Sequence, residues 1–137
     1  MTTTPAANVD LLRGLYQLLT DGDIDQAAEH LTEDFVANQP GRPEPTIGRD
    51  PWKQGTQYML AAFPDLKVTI DDIFGHEDKV VVRLHFDGTH QGPFVDIPPT
   101  QRRVTFRSLE LYRIKDGKVA EEWVAPDTMD LMRQLTA

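Results

Sequence analysis

The sequence contains no cysteine. That absence excludes disulfide bridges, thiolate metal sites and a cysteine nucleophile. Basic residues are also scarce: 14 Lys plus Arg stand against 22 Asp plus Glu, for a net charge of −8. A chain of that sign repels phosphate backbones and anionic lipid, so neither a nucleic acid nor a membrane is an expected partner. No apolar run approaches the roughly 20 residues that cross a bilayer. The opening MTTTPAANVD also lacks the basic start and apolar stretch of a signal peptide. There is no internal repeat, no low-complexity segment and no Gly-rich phosphate loop after a strand. The expectation left standing is a soluble cytoplasmic protein.

What is present suits one globular domain over residues 1–137, with 1–7 as a loose tail. From about Asn8, Val9, Leu12, Leu15, Tyr16 and Leu19 recur at helical spacing, and Gly22 stops the run. Asp23 is placed to cap a short second helix with Ala27, Ala28 and Leu31. Phe35 and Val36 begin a brief extended piece ending at Asn38, followed by a loop from Pro40 to Pro45. Asp50-Pro51 reads as a helix start, and that helix carries Trp52, Tyr58, Met59 and Phe63 before Pro64. The period then changes to two. Leu66, Val68 and Ile70 mark a first strand, and His76-Glu77-Asp78 a turn. Lys79 to Asp87 is a second strand and 88–103 a Gly/Pro-rich loop. Val104 to Ile114 and Lys118 to Ala125 are two more strands. Asp127 caps a last helix with Met129, Met132 and Leu135. Helices followed by a meander predict an α+β fold.

The hairpin at Lys115-Asp116-Gly117 decides which side chains meet. A two-residue loop sets Glu110 opposite Trp123; a three-residue loop sets Glu110 opposite Glu122, Ser108 opposite Val124 and Leu109 opposite Trp123. The three-residue version is preferred because it sorts the faces. One carries Leu109, Leu111, Val119 and Trp123, with Arg107 and Arg113 at its margins, and resembles a subunit interface. The other carries Ser108, Glu110, Tyr112, Glu122 and Val124, and resembles the wall of a mixed-polarity pocket. Two opposed carboxyls in a partly dry pocket would share a proton, which makes a candidate acid–base pair.

The run GTHQGPFVDIPPTQRR (Gly88 to Arg103), the hairpin ELYRIKDGKVAEEW and the closing PDTMDLMRQL resemble the SnoaL-like polyketide cyclase family. Its G-x-H-x-G-x-h-x-G-h-P-P-T-x-R-R run (h apolar) is matched at Gly88, His90, Gly92, Ile97, Pro98, Pro99, Thr100, Arg102 and Arg103, with Asp96 where glycine is usual. FPDLKVTIDDIF, Phe63 to Phe74, fits the family's strand after its Pro-Asp pair. The resemblance implies a cone-shaped α+β fold shared with ketosteroid isomerase and nuclear transport factor two. In it a curved antiparallel sheet wraps a pocket closed by N-terminal helices, often in a dimer. It also implies cofactor-free ring closure of a polyketide, a small-molecule partner in natural-product and antibiotic biosynthesis. In the family's aromatic cyclases, an Asp two residues before the second Pro-Asp pair is the acid/base of an aldol closure. Here that position is Val124. Glu110 stands at the family's cavity histidine and Ser108 at the glutamine two residues earlier.

The candidate catalytic residues are therefore Glu110 and Glu122. The candidate substrate-binding residues are Asn38, Trp52, Tyr58, Met59, His85, Phe94, Ser108, Tyr112 and Val124. Each also has a plain structural reading: Trp52, Tyr58 and Met59 as core, Glu110 as an ion-pair partner, Asp127 as a helix cap, His90 as a loop-fixing residue. His85 fits either core or pocket. His85 and His90 lack a third ligand at useful spacing, so no metal site is expected. Three readings compete. The first is a cyclase working either by cycloaddition, which needs no proton acceptor, or by an aldol-type or isomerising closure with Glu110 as base. The second is a non-catalytic binding member of the fold. The third is a different enzyme on it, such as a dehydratase or epoxide hydrolase.

Overall fold

A computed structural model describes residues 2–137. Helix α1 (Pro5–Thr20) begins where Thr4 accepts a hydrogen bond from the Ala7 N–H at 3.1 Å and Pro5 takes the first helical position. The expected tail is thus already ordered from Pro5; residue 1 lies outside the described residues. Helix α2 (Ile24–Ala28) follows, and Asp23 sits at its N-cap without a side-chain bond. Leu31, expected in that helix, instead opens strand β1 (Leu31–Asn38). A two-residue β2 (Thr46–Ile47) leads into α3 (Arg49–Ala62), whose cap is Gly48 at φ 98°, so Asp50 lies inside the first turn rather than before it.

The remaining strands are β3 (Lys67–His76), β4 (Lys79–Thr89), β5 (Arg103–Lys115) and β6 (Lys118–Pro126). Helix α4 (Thr128–Thr136) closes the order, with Asp127 accepting from the Asp130 N–H at 3.0 Å as expected. The strands form one curved sheet in the order β2-β1-β6-β5-β4-β3. Every pair is antiparallel except β1 with β6, which run parallel; the sheet is mixed, which corrects the expected antiparallel one. Register breaks in β3 and β6, where one residue is left over, add the local bend such bulges bring.

The β5–β6 hairpin departs from both expected registers. Lys115 pairs with Lys118 around a two-residue Asp116-Gly117 turn, with φ of 52° and 77°, and a bulge then shifts β6 by one residue. Beyond it Glu110 pairs with Val124, Leu111 with Trp123 and Tyr112 with Glu122. Glu110 therefore does not oppose Glu122, and Ser108 faces Pro126 rather than Val124. The shift from the preferred register is two residues, so the faces survive. Ser108, Glu110, Tyr112 and Glu122 are all buried, while Leu109 is 56% exposed. Val119 is the exception: it precedes the bulge, pairs with Ile114 and is wholly buried in the core.

The inner face of the sheet packs against α1 and α2 through Leu12, Phe35, Val82 and Leu84. A second cluster, built on Phe63, Phe94, Phe106 and Leu131, fills the space under α4 and the β4–β5 loop. That loop is pinned to the end of α3, where the Gln91 and Gly92 N–H groups donate to the Ala62 carbonyl at 2.9 and 3.1 Å. A Cβ on Gly92 would lie 2.2 Å from the Ala61 carbonyl oxygen, so only glycine allows this approach. His90 is fully buried beside Phe63 and accepts from the Thr100 N–H at 3.2 Å through Nδ1, which fixes the same loop.

Candidate active site

Strand β5 alternates without a break, so its even positions all face inward. Phe106, Glu110 and Tyr112 thereby reach one cavity of about 660 Å³. Phe86 of β4 and Glu122 and Val124 of β6 extend the same wall. Helix α1 contributes Leu15, Tyr16 and Leu19, and α3 contributes Trp52, Tyr58 and Met59. Phe86 and Phe106 stack at 4.9 Å, giving part of the wall a flat aromatic surface. A volume of this size holds a multi-ring or folded chain-like guest.

The polar groups on the wall form one network centred on Glu110. Its Oε1 accepts from the Tyr16 hydroxyl at 2.7 Å and the Tyr112 hydroxyl at 2.5 Å, and its Oε2 accepts from the Ser108 hydroxyl at 2.7 Å. The two tyrosine hydroxyls also touch each other at 2.6 Å. Two phenolic protons therefore serve three contacts, and all three hydroxyls are engaged with Glu110 or with each other. Burial, and then the Glu110 charge, hold both tyrosines protonated far above their ordinary range.

Glu122 stands on the same wall in a different condition. Its backbone carbonyl accepts from Asn38, but its carboxyl makes no hydrogen bond among the described residues. Burial first, and the Glu110 charge second, raise its pKa to about 8. At neutral pH it is a neutral acid whose O–H has no partner among the described residues and faces a cavity. A buried carboxyl kept neutral beside a second one on the same wall is a candidate general acid.

Of the residues singled out in the sequence, Glu110, Glu122, Trp52, Tyr58, Met59, Tyr112 and Val124 are brought together around the cavity. Ser108 lies behind the wall, committed to Glu110. Asn38 points to the outer side, where its Nδ2 donates to Glu121 at 3.0 Å and to the Glu122 carbonyl at 2.9 Å. His85 is also on the outer side, bound through Nδ1 to Asp71 at 2.8 Å. Phe94 packs in the second core cluster, 6.0 Å from the Tyr58 ring. Tyr16, which completes the Glu110 network, reads in the sequence only as part of an apolar helical stripe. Its hydroxyl was the available signal, since a buried phenol needs a polar partner.

Comparison with known proteins places the fold among known ones. The curated relative DauD, the aklanonic acid methyl ester cyclase of Streptomyces sp. (strain C5), is 29% identical over 135 residues, covering 93% of this chain and 80% of that one. Among solved structures, AclR of Streptomyces galilaeus, provisionally assigned as a hydroxylase, superposes with a TM-score of 0.88 at 28% identity, over 97% of this chain and 83% of that one. IdmH of Streptomyces antibioticus, provisionally assigned as a polyketide cyclase, gives 0.84 at 31% identity, over 95% and 99%. The family profile of the SnoaL-like polyketide cyclases matches residues 9–135, and the chain belongs to that family of enzymes.

Proposed function

We propose that this protein closes a ring in a polyketide intermediate of antibiotic biosynthesis, with Glu122 as the acid that activates a substrate carbonyl. The observation that carries this reading is the neutral, unpartnered Glu122 carboxyl on the cavity wall. On the strands beside it and on α1 the nearby polar side chains are already engaged: Ser108 and both tyrosines serve Glu110, and Asn38 is turned outward. A guest carbonyl in the cavity therefore meets Glu122 as the available carboxylic acid donor. A donor aimed at the oxygen where negative charge develops is worth about 10²–10³ in rate. Folding the chain so that its reacting ends meet offsets about 7–11 kcal/mol of barrier in favourable cases.

This favours closure of the cycloaddition type. Such a step forms two carbon–carbon bonds at the expense of π bonds and releases no proton. It thus fits Val124 at the position where the resemblance places an acid/base Asp. Glu110 would act through its charge, keeping Glu122 and the tyrosines protonated. A second reading, an aldol-type closure with Glu110 as base, draws support from its place on the same wall and from the cyclase name of DauD. Both oxygens of Glu110 are already engaged by three hydroxyls, which counts against it.

The two separate experimentally on linear precursors screened for ring closure. In the acid reading, turnover is full at neutral pH and falls as pH rises through about 8, where Glu122 ionises. Glu122→Leu should lose about 100-fold, and Glu122→Gln should keep part of the rate without the fall near pH 8. A fall that persists in Glu122→Gln sinks the acid reading. Loss of several orders of magnitude in Glu110→Gln with unchanged ligand binding would establish the base reading instead. The outer sheet face around Leu109, Leu111 and Trp123 further supports a homodimer as the working form.

A further inference from the structure

The ionisable groups on the cavity wall differ in kind and in depth. Glu110 and Glu122 are buried on the sheet side, whereas Arg42 is exposed on the loop between β1 and β2. Arg42 is the one cationic side chain on that wall, and its guanidinium makes no ion pair or hydrogen bond among the described residues. In a chain with 22 acidic and 14 basic residues, an arginine at a cavity without a carboxylate partner is free to receive one from outside.

The loop also restricts the backbone at Arg42. It reads Pro40-Gly41-Arg42-Pro43-Glu44-Pro45, so proline restricts the backbone at three of six positions. Pro43 confines the Arg42 backbone itself to extended conformations. Gly41 at φ 79° turns the chain, and the Arg42 N–H donates to the Gln39 carbonyl at 3.3 Å. A guanidinium on a stiff turn loses less freedom on pairing with a planar anion than a lysine on a mobile loop would.

We propose that Arg42 reads a carboxylate on the outer end of the guest, so that this enzyme takes the free acid of a ring-forming aromatic or polyene chain in preference to its methyl ester. The inference rests on the cavity reading given above and adds the substrate's class and orientation. Reversed, the guest would carry its carboxylate to the Glu110 charge; placed carboxylate-outward, it presents its inner carbonyl to neutral Glu122. DauD, by contrast, is named for a methyl ester.

The test uses two fluorescent probes that differ only at this group, anthracene-2-carboxylate and its methyl ester. Both are titrated into the whole protein at neutral pH, at low and at high salt. The wild type should bind the acid about fivefold tighter than the ester, with the gap shrinking as salt rises. Arg42→Gln should bring the acid down to the ester's affinity and leave the ester unchanged, and Arg42→Lys should keep part of the gap. An acid that binds no tighter than the ester, or a gap that survives in Arg42→Gln, overturns the role of Arg42 and leaves the cavity reading standing. An ester that fails to bind the wild type overturns both. Ester binding that disappears in Val124→Trp places the probe in the cavity; binding that persists there puts the probe elsewhere and overturns the assignment.

Discussion

At the residue scale, Glu122 sets stability against chemistry. Its pKa rises from 4.5 to about 8 in the fold, so between those values the folded state binds more protons than the unfolded state. The contribution of Glu122 to stability is then fullest below about pH 4.5, falls as pH rises, and levels off above about 8. Each unit corresponds to about 1.4 kcal/mol. Glu122→Gln should therefore stabilise the protein by a few kcal/mol at pH 8, and the gain should vanish near pH 4. Urea titrations at the two pH values measure this; identical midpoints for both proteins at pH 8 would show that Glu122 pays no penalty for burial. The same scale shows what the sequence could convey about the site. The inward set of β5 was legible because alternation fixes direction, and the resemblance pointed to the same strand. Alternation also speaks for His85, which lies between inward Leu84 and Phe86 and so must face out. Tyr16 was not legible as a site residue, because helical periodicity marks burial and is silent on what the buried hydroxyl meets across the fold.

At the scale of elements, several local signals are legible in the sequence, while long-range pairings are not. The helix cap at Asp127, the β3–β4 turn and the span of β5 follow from neighbouring residues. The β1–β6 pairing does not: it joins Leu31 to Val119 and Asn38 to Trp123, and no local pattern encodes a partner that distant. Thr32, Glu33 and Asp34 also interrupt the apolar alternation of β1, which is why Leu31 read as helical. The hairpin departs from the expected register because its turn has two residues and the bulge in β6 has no sequence mark of its own. Beyond the bulge the net shift of two residues keeps the faces of Glu110 and Glu122, whereas Val119, before it, is shifted by one and turns inward. Glycines give this scale its prediction. Gly92→Ala drives a methyl into the Ala61 backbone and should cost about 1–3 kcal/mol. Gly14→Ala, on an open face of α1, should add about 0.5–1 kcal/mol. Thermal melts compare the two; a neutral Gly92→Ala would mean that the loop has room to move off α3.

At the scale of the whole molecule, the outer sheet face is the feature that solution measurements address first. Leu109 and Phe74 are both more than half exposed, and Leu111 and Trp123 are half-buried on the same side of the sheet as Leu109. Covering such a face with a second copy would remove apolar area from water at about 25 cal/mol per Å². Sedimentation at micromolar concentration should show a dimer, and Leu109→Lys should shift it toward monomer. A wild type that sediments as monomer removes the proposal. The parallel joint between β1 and β6 has a further consequence, for the order of assembly. The sixth strand in sequence lies between the first and the fifth in space. During synthesis β1 and β2 must wait beside an unfinished partner until β6 arrives. Such distant contacts are slow to form. Until then the Glu110 row stays hydrated, so the desolvation of both carboxyls is deferred to the final closure of the sheet.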